Sequence, residues 1–242
     1  MQIVNQKFSF VANKLIDIRQ SLVQFARDAG RNPDDIRLVA ISKTHPPEAI
    51  AAAIAAGQLD FGENTTQEAL EKIPHFKDKP VTWHFIGHLQ SNKARFIPGN
   101  FSWLHSLDSL SLAQKLSRCA QDQSAIINIL IEVNASRDPK KHGIAPDALL
   151  AFVEKLLAAN LPALSLRGLM TIGPHDAPKK EIRRCFASLR ELRDTCQTRF
   201  ALPRFTELSM GMSGDYKEAI KEGSTMIRIG TAIFGDRDYS AK

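Results

Sequence analysis

Eight short apolar runs recur along this chain, and a segment with the apolar spacing of a helix follows each of them. In order, the runs are "IRLVAIS", "LDFGEN", "TWHFIG", "FSWLHSL", "IINILIEVN", "LSLRGLM", "FTELSM" and "TMIRIG". Strands that are separated by helices pair in parallel, since antiparallel neighbours would be joined by two-residue turns, which are missing between these runs. Eight such units in 242 residues match a (β/α)8 barrel, whose usual length is ~250 residues. The sequence therefore predicts an α/β fold with a single TIM barrel.

One helix precedes the first strand, because apolar residues recur three or four positions apart between residues 4 and 29, and Gly30 then ends the pattern. These apolar residues are Phe8, Val11, Leu15, Ile18, Leu22 and Phe25. We predict that residues 1–30 form a leading helix on the barrel exterior and residues 36–235 the barrel. Since no linker divides residues 1–242, we expect one domain. A doubly wound open sheet is the alternative, but it would need a glycine-rich turn after the first strand, and "ISKTHPP" has no glycine.

Composition excludes several classes of protein. An apolar content of 43% and a charged content of 24% are typical of a globular domain with an ample core. The sequence has no secretory h-region and no run of 18 apolar residues, so we expect a cytoplasmic protein without a membrane partner. Its three cysteines show no CxxC spacing, so we predict neither a disulfide framework nor a metal site. The net charge of +6 is spread along the chain, which suits a small anionic ligand better than a nucleic acid.

Polar residues collect where the predicted strands end, and barrels of this kind carry their active sites at that face. Lys43 is the first of them, because the apolar strand that contains Leu38 and Ile41 runs directly into Ser42 and this lysine. An isolated lysine at such a place often extends to solvent. Alternatively, Lys43 is a desolvated amine with a lowered pKa that forms a Schiff base with a carbonyl compound.

Two turns after the last two predicted strands favour the second interpretation of Lys43. "SMGMSGDYKEAI" contains the seventh strand end, and Gly230 and Thr231 follow the eighth strand. Backbone N–H groups and hydroxyls at these turns form the phosphate site that such barrels place after strands seven and eight, although two ordinary Gly/Ser turns are the alternative. A lysine, a phosphate site and Arg228 together suggest pyridoxal 5'-phosphate (PLP), whose aldehyde needs an amine and whose ring nitrogen needs a partner.

Five segments of the chain carry a resemblance to a known family. They are "ISKTHP", "DFGENTTQEALEK", "WHFIGHLQSNK", "LRGLM" and "LSMGMSGDYKEAIKEGSTMIRIGTAIFG". Together, and in this order over nearly the whole chain, they resemble the pyridoxal phosphate homeostasis protein family (YggS/PROSC), which is related to the barrel domain of alanine racemase. The resemblance implies a fold-type III PLP protein.

The resemblance also implies roles for the cofactor-binding residues. Lys43 corresponds to the lysine that holds PLP as an aldimine. Ser213 and Arg228 lie 15 residues apart, similar to the phosphate-binding serine and the ring-nitrogen arginine of alanine racemase. Gly230 and Thr231 then take the phosphate positions through backbone N–H groups and a hydroxyl.

Three further residues match family motifs near the cofactor, namely Asn64, His84 and Met170. Asn64 could equally satisfy backbone groups at a strand end, and His84 could be a hydrogen-bonded core histidine. The chain departs from the family pattern at His45, where a second lysine is common. Lys141 in "PKKHGI" matches a basic family residue, but a solvated lysine in a charged loop is the favoured interpretation.

The function implied by the resemblance is intracellular PLP (vitamin B6) and amino-acid homeostasis, by a carrier or regulator without established turnover. A permanent cation at Arg228 disfavours protonation of the cofactor's ring nitrogen and so weakens it as an electron sink. Racemisation also needs an acid/base on each face, and we expect the second one, which a separate β-domain supplies in alanine racemase, to be missing after Lys242. PLP-dependent apoenzymes or amino acids are the partners to consider. One alternative is a monodomain PLP-dependent amino-acid racemase or lyase, and another is a nucleic-acid or protein-binding barrel that works through its net charge of +6.

Overall fold

The computed structural model describes residues 6–235 and contains a closed barrel of eight parallel strands in sequential order. The strands are β1 (Arg37–Ile41), β2 (Asp60–Glu63), β3 (Thr82–Phe85), β4 (Trp103–Leu107), β5 (Ile127–Glu132), β6 (Leu164–Met170), β7 (Glu207–Ser209) and β8 (Met226–Ile229). The helices are α1 (Phe10–Asp28), α2 (Pro47–Ala55), α3 (Thr66–Lys72), α4 (Leu110–Asp122), α5 (Leu149–Ala158), α6 (Lys179–Arg199), α7 (Tyr216–Lys221) and α8 (Thr231–Phe234). The predicted barrel is confirmed, and each of the eight apolar runs contains a strand.

The strands form where the sequence is apolar on consecutive positions, because a parallel barrel strand is covered by helices outside and by other side chains inside. All five residues of β4 are buried, for example. Inside the barrel, Trp103, Leu130, Met170 and Met226 form an apolar cluster of their own. A larger apolar core fills the space between the barrel and the helices.

Helix α1 packs on the outside of the barrel against α2, α7 and α8, as the sequence predicts. Its buried face consists of Val11, Leu15, Ile18, Leu22 and Ala26. Gly30 follows in the left-handed region, with φ +67°, which glycine adopts without steric cost. The helix begins at Phe10. Its predicted start near Val4 lies outside the described residues, which exclude residues 1–5 and 236–242. The predicted domain boundaries therefore remain predictions.

Two of the eight segments that follow the strands contain less helix than the repeating pattern predicts. A 3-10 helix, Ser91–Phe96, lies between β3 and β4, and only the four-residue α8 follows β8 within the described chain. Pro98 lies two residues after the 3-10 helix and has no backbone N–H with which to extend that segment. None of the helices within residues 6–235 combines the length and the apolar character that a membrane span requires.

Candidate functional site

A cavity of about 680 Å³ opens at the carboxyl ends of β1, β6, β7 and β8. Its volume lies within the range of small-molecule sites, roughly 300–1,000 Å³. Its walls combine the apolar side chains of Ile41, Ile86 and Ile172 with polar groups. The polar and charged lining residues are Lys43, Lys141, His175, Asp176, Ser213, Asp215, Arg228 and Thr231.

The turn that carries Lys43 is fixed by a neighbouring strand–helix unit. Lys72, at the end of α3, donates to the backbone carbonyl of Ser42 over 2.8 Å and to the carboxylate of Glu68 over 2.6 Å. Glu68 also accepts the backbone N–H of Thr44. Thr44 has φ +67°, a left-handed conformation that a β-branched residue rarely adopts. The position of the Lys43 backbone is thus determined by contacts on both sides of it.

A buried ion pair lies directly beneath this turn. Glu63 at the end of β2 is fully buried, and its Oε1 accepts from Lys72 Nζ over 3.0 Å and from the hydroxyl of Ser42 over 2.6 Å. Burial raises the pKa of Glu63, while the Lys72 ammonium acts against the rise. The second oxygen, Oε2, is buried without a hydrogen-bond partner in the described part of the chain. Removal of Lys72 would leave this carboxylate without a neutralising partner.

Arg228 is the cation at the floor of the cavity. Its guanidinium donates to the hydroxyl of Ser209 over 2.7 Å and to the backbone carbonyl of Thr171 over 3.0 Å, which holds it in one orientation. Burial lowers the pKa of Arg228 to about 10, and the carboxylates of Asp215 and Glu132 oppose this fall. Arg228 therefore stays protonated at neutral pH.

A chain of hydrogen-bonded side chains, buried except for the partly exposed Asp60, leads from Arg228 through the barrel interior. The hydroxyl of Ser209 lies 2.9 Å from His105 Nδ1, and His105 Nε2 lies 2.9 Å from His84 Nδ1. His84 Nε2 then lies 2.9 Å from Oδ1 of Asp60, at the start of β2. We call these five residues the interior chain.

The two ends of the interior chain determine the direction of every hydrogen bond in it. Arg228 can only donate, so the Ser209 hydroxyl accepts there and has its own hydrogen left for His105 Nδ1. Burial lowers the pKa of both His84 and His105, so each ring is neutral and carries one proton. His105 must then donate from Nε2 to His84, and His84 from Nε2 to the carboxylate of Asp60. Each ring nitrogen has a partner in this arrangement.

The turn after β7 is shaped by glycine and by Asp215. Gly211 has φ +96°, and a Cβ at this position would lie 2.6 Å from the Cβ of Ala219, so the turn lies close against α7. Asp215 accepts the backbone N–H of Met212, while burial raises the pKa of its carboxyl. No described backbone carbonyl accepts the N–H of Ser213 or Gly214 in this turn. These two N–H groups, with nearby hydroxyls, provide donors for an anionic group.

Five of the eight predicted cofactor-binding residues line the cavity: Lys43, Ser213, Arg228, Gly230 and Thr231. The other three, Asn64, His84 and Met170, are absent from its lining. His84 belongs to the interior chain, and Met170 belongs to the apolar cluster inside the barrel. Asn64 lies against the loop after β3, where its backbone carbonyl oxygen would be 2.0 Å from a Cβ placed on Gly87. The direct cofactor contacts predicted for these three stay predictions.

Lys141 is placed differently from the favoured sequence interpretation. It lines the cavity, and its ammonium donates to the backbone carbonyl of Gly173 over 2.6 Å. Lys141 is therefore a half-exposed lysine that also contacts the cavity, because the loop after β5 approaches the loop after β6 at the barrel mouth. Sequence analysis also missed Lys72, Ser209 and Asp215, whose roles depend on contacts between distant strand–helix units.

Comparisons with known proteins identify relatives of this chain. The family model for the alanine racemase N-terminal domain matches residues 17–238. A pyridoxal phosphate homeostasis protein of Escherichia coli strain K12 is 45% identical over 240 residues, which cover 96% of this chain and 99% of that protein. One from Pseudomonas aeruginosa is 44% identical and covers 96% and 98%, respectively. The structure of PipY of Synechococcus elongatus with PLP bound has 39% identity and a TM-score of 0.82, and it covers 93% of this chain and 100% of PipY.

Proposed function

The chain belongs to the alanine racemase N-terminal domain family and, within it, to the pyridoxal phosphate homeostasis proteins, and from this premise we propose that it binds PLP in the cavity above Arg228. Its function is then to hold the cofactor as part of cellular PLP and amino-acid homeostasis. One observation carries the proposal: an amine, a buried cation and a turn rich in hydrogen-bond donors face one cavity of suitable volume.

The residues of the cavity fit the chemical groups of PLP. Its aldehyde reacts with primary amines, and this is the chemistry that the cofactor would supply. Lys43 is the amine at the end of β1, on a turn that Lys72 and Glu68 hold in place. Its main competitor is Lys141, whose ammonium is engaged by the carbonyl of Gly173.

The phosphate end is assigned to the turns after β7 and β8. Hydroxyls of Ser213 and Thr231 line the cavity there, and the backbone of Gly214 faces open space, since no atom lies within 4 Å of a Cβ placed on it. Among the described residues, no backbone carbonyl accepts the N–H of Thr231 or Ala232 at the start of α8. Several hydrogen bonds to a dianion, each worth about 1.5–3 kcal/mol, would dominate the affinity.

Arg228 is assigned to the ring nitrogen. A guanidinium can only donate a hydrogen bond, and it remains charged here, so it favours the unprotonated ring nitrogen. A neutral ring withdraws electrons weakly, which supports holding of the cofactor over amino-acid turnover. Amino-acid racemisation and lyase assays with the PLP-loaded protein test the alternative function directly.

We expect Lys43→Ala to abolish covalent attachment of PLP while the barrel stays folded, because the half-buried Lys43 side chain contributes little to the core. The PLP-loaded protein is reduced with borohydride, digested and mapped by mass spectrometry. The pyridoxyl group should be found on Lys43 in the unchanged protein and should be lost in the variant. Far-ultraviolet circular dichroism checks the fold.

Lys140→Ala is the matched control, since Lys140 is exposed and does not line the cavity. This variant should retain full labelling of Lys43. A pyridoxyl group found mainly on Lys141 would show that the lysine assignment is wrong, although the cavity would still bind PLP. Failure of the unchanged protein to bind PLP at all would contradict the proposed function itself.

A further inference from the structure

Three side chains with metal-binding atoms converge at the barrel mouth, on the side away from the walls formed by β1 and β6–β8. His88 lies after β3, Asp108 directly after β4, and His142 after β5. One ligand atom from each lies within 4.8 Å of the other two. We call His88, Asp108 and His142 the mouth triad, and none of them lines the cavity assigned to PLP.

The geometry points to a divalent transition-metal site at the mouth triad, with Zn²⁺ or a similar borderline ion as its ligand. Two imidazoles and one carboxylate are a donor set that Zn²⁺, Ni²⁺ and Cu²⁺ accept, whereas Mg²⁺ and Ca²⁺ prefer oxygen donors. Three protein ligands leave at least one coordination position open, as in zinc sites that bind a water molecule or a further ligand.

The distances within the triad are close to those that a bound ion requires. The His88 and His142 rings are stacked, with centroids 4.3 Å apart and planes 16° from parallel, and His88 Nδ1 lies 3.4 Å from Asp108 Oδ2. Two ligand atoms at ~2.1 Å from one tetrahedral ion lie ~3.4 Å apart, so ligand atoms at the 4.8 Å limit have to approach each other by about 1.4 Å. The His88 side chain is 44% exposed, which leaves it room to rotate.

The position of Asp108 gives the triad a rigid base. Asp108 follows the fully buried strand β4 and precedes Ser109, whose hydroxyl accepts the N–H of Leu112 at the start of α4. The Asp108 side chain is 19% exposed, so it is fixed between strand and helix while the two histidines reach it from loops. The sequence contains no sign of such a site, because its three ligands come from three different strand–helix units.

The site is tested by calorimetric titration of the full chain with ZnCl2 after dialysis against a chelator. We expect one saturable Zn²⁺ site per chain, and little competition from Mg²⁺. The variants His142→Asn and Asp108→Asn should each weaken binding by roughly tenfold or more, since loss of outer-shell support alone costs 10–100-fold. His75→Asn, an exposed histidine on the 3-10 helix Ile73–Phe76, is the matched control and should bind as the unchanged protein does.

Cobalt spectroscopy separates this site from binding at the cysteines Cys119, Cys185 and Cys196. Co²⁺ at the mouth triad gives ligand-field bands without thiolate charge-transfer bands. Lys43→Ala should leave the Zn²⁺ affinity unchanged, so the result is independent of the PLP proposal. Absence of saturable binding, thiolate bands, or equal affinity in all variants would each overturn the proposal.

Discussion

At the scale of single residues, Ser209 connects the cavity to the barrel interior. Its hydroxyl is the only group that contacts both Arg228 and His105 within the interior chain. The hydroxyl accepts from Arg228 and donates to His105, because His105 uses its single ring proton on Nε2 and leaves Nδ1 as an acceptor. The tautomer of both histidines is determined at the other end, because the Asp60 carboxylate can only accept a hydrogen bond from His84 Nε2.

We expect both His84 and His105 to be neutral with the proton on Nε2, and we expect Ser209→Ala to shift the His105 Nδ1 signal because that nitrogen loses its hydrogen-bond donor. Nitrogen-15 NMR of labelled histidine reports the tautomer directly. The substitution also leaves a buried Arg228 donor and His105 Nδ1 without their partner, which should cost about 1–3 kcal/mol in the free energy of unfolding.

Ser106→Ala is the matched control for Ser209→Ala. Ser106 is a buried serine on β4 whose hydroxyl donates to the carbonyl of Gly87 and so does not donate to either histidine ring. It should lower stability without changing the histidine spectra. A charged ring, or a proton on Nδ1 of either histidine in the unchanged protein, would contradict the assigned directions of the hydrogen bonds.

At the scale of elements, the turn after β1 depends on the end of α3. Lys72 contacts Ser42, Glu63 and Glu68 at once, and so connects β1, β2 and α3 through a single ammonium group. The Lys72 side chain is only 7% exposed. A charge buried to this degree stabilises the fold only while all its partners are present.

Lys72→Met should destabilise the protein by about 3–5 kcal/mol, because it leaves the carboxylate of Glu63 buried without a cation. Urea denaturation measures the loss. The double variant Lys72→Met, Glu63→Gln should recover much of it, since the buried carboxylate of Glu63 is then absent as well. Lys77→Met, at an exposed lysine just beyond the same segment, should change stability by no more than about 0.5 kcal/mol. Equal losses in Lys72→Met and Lys77→Met would show that the buried ion pair is not needed.

The same elements show which parts of the site could be predicted from the sequence and which could not. Lys43, Arg228 and Thr231 could be predicted as cavity residues because a strand end in a parallel barrel always faces the same rim. The hydrogen bond between His105 and Ser209 could not be predicted, because it joins residues 104 positions apart and depends on side chains that face each other inside the barrel. Lys141 was assigned to solvent because no local pattern indicates that its loop folds back.

At the scale of the whole molecule, α1 covers the line where the first and last strands meet. The β1–β8 pairing closes the barrel, and α1 packs on α2 and α8, which flank it. The order of strands and the leading helix could both be predicted from apolar spacing, since each element is long enough to show its period. The short helical segments after β3 and β8 could not be predicted, because so few residues do not show a measurable apolar period.

Leu15→Ala should cost about 2–5 kcal/mol in the free energy of unfolding, because Leu15 is fully buried between α1 and the barrel. Thermal or urea unfolding measures this change. Ile16→Ala is the matched control, because Ile16 is 51% exposed on the same helix, and its effect should stay near 0.5 kcal/mol. A Leu15→Ala variant as stable as Ile16→Ala would mean that α1 is only loosely attached to the barrel.

The interior chain has a consequence for the evolution of this protein. Its polar groups satisfy one another in a fixed order from Arg228 to Asp60, so a substitution at one member leaves its neighbours unpaired in a dry environment. The effect of a second substitution then depends strongly on the first, because contacting residues in one network are not additive. A library that randomises Ser209 and His105 together should therefore yield functional pairs whose single substitutions are each rejected. Descendants of this chain can change the barrel interior only by concerted replacement.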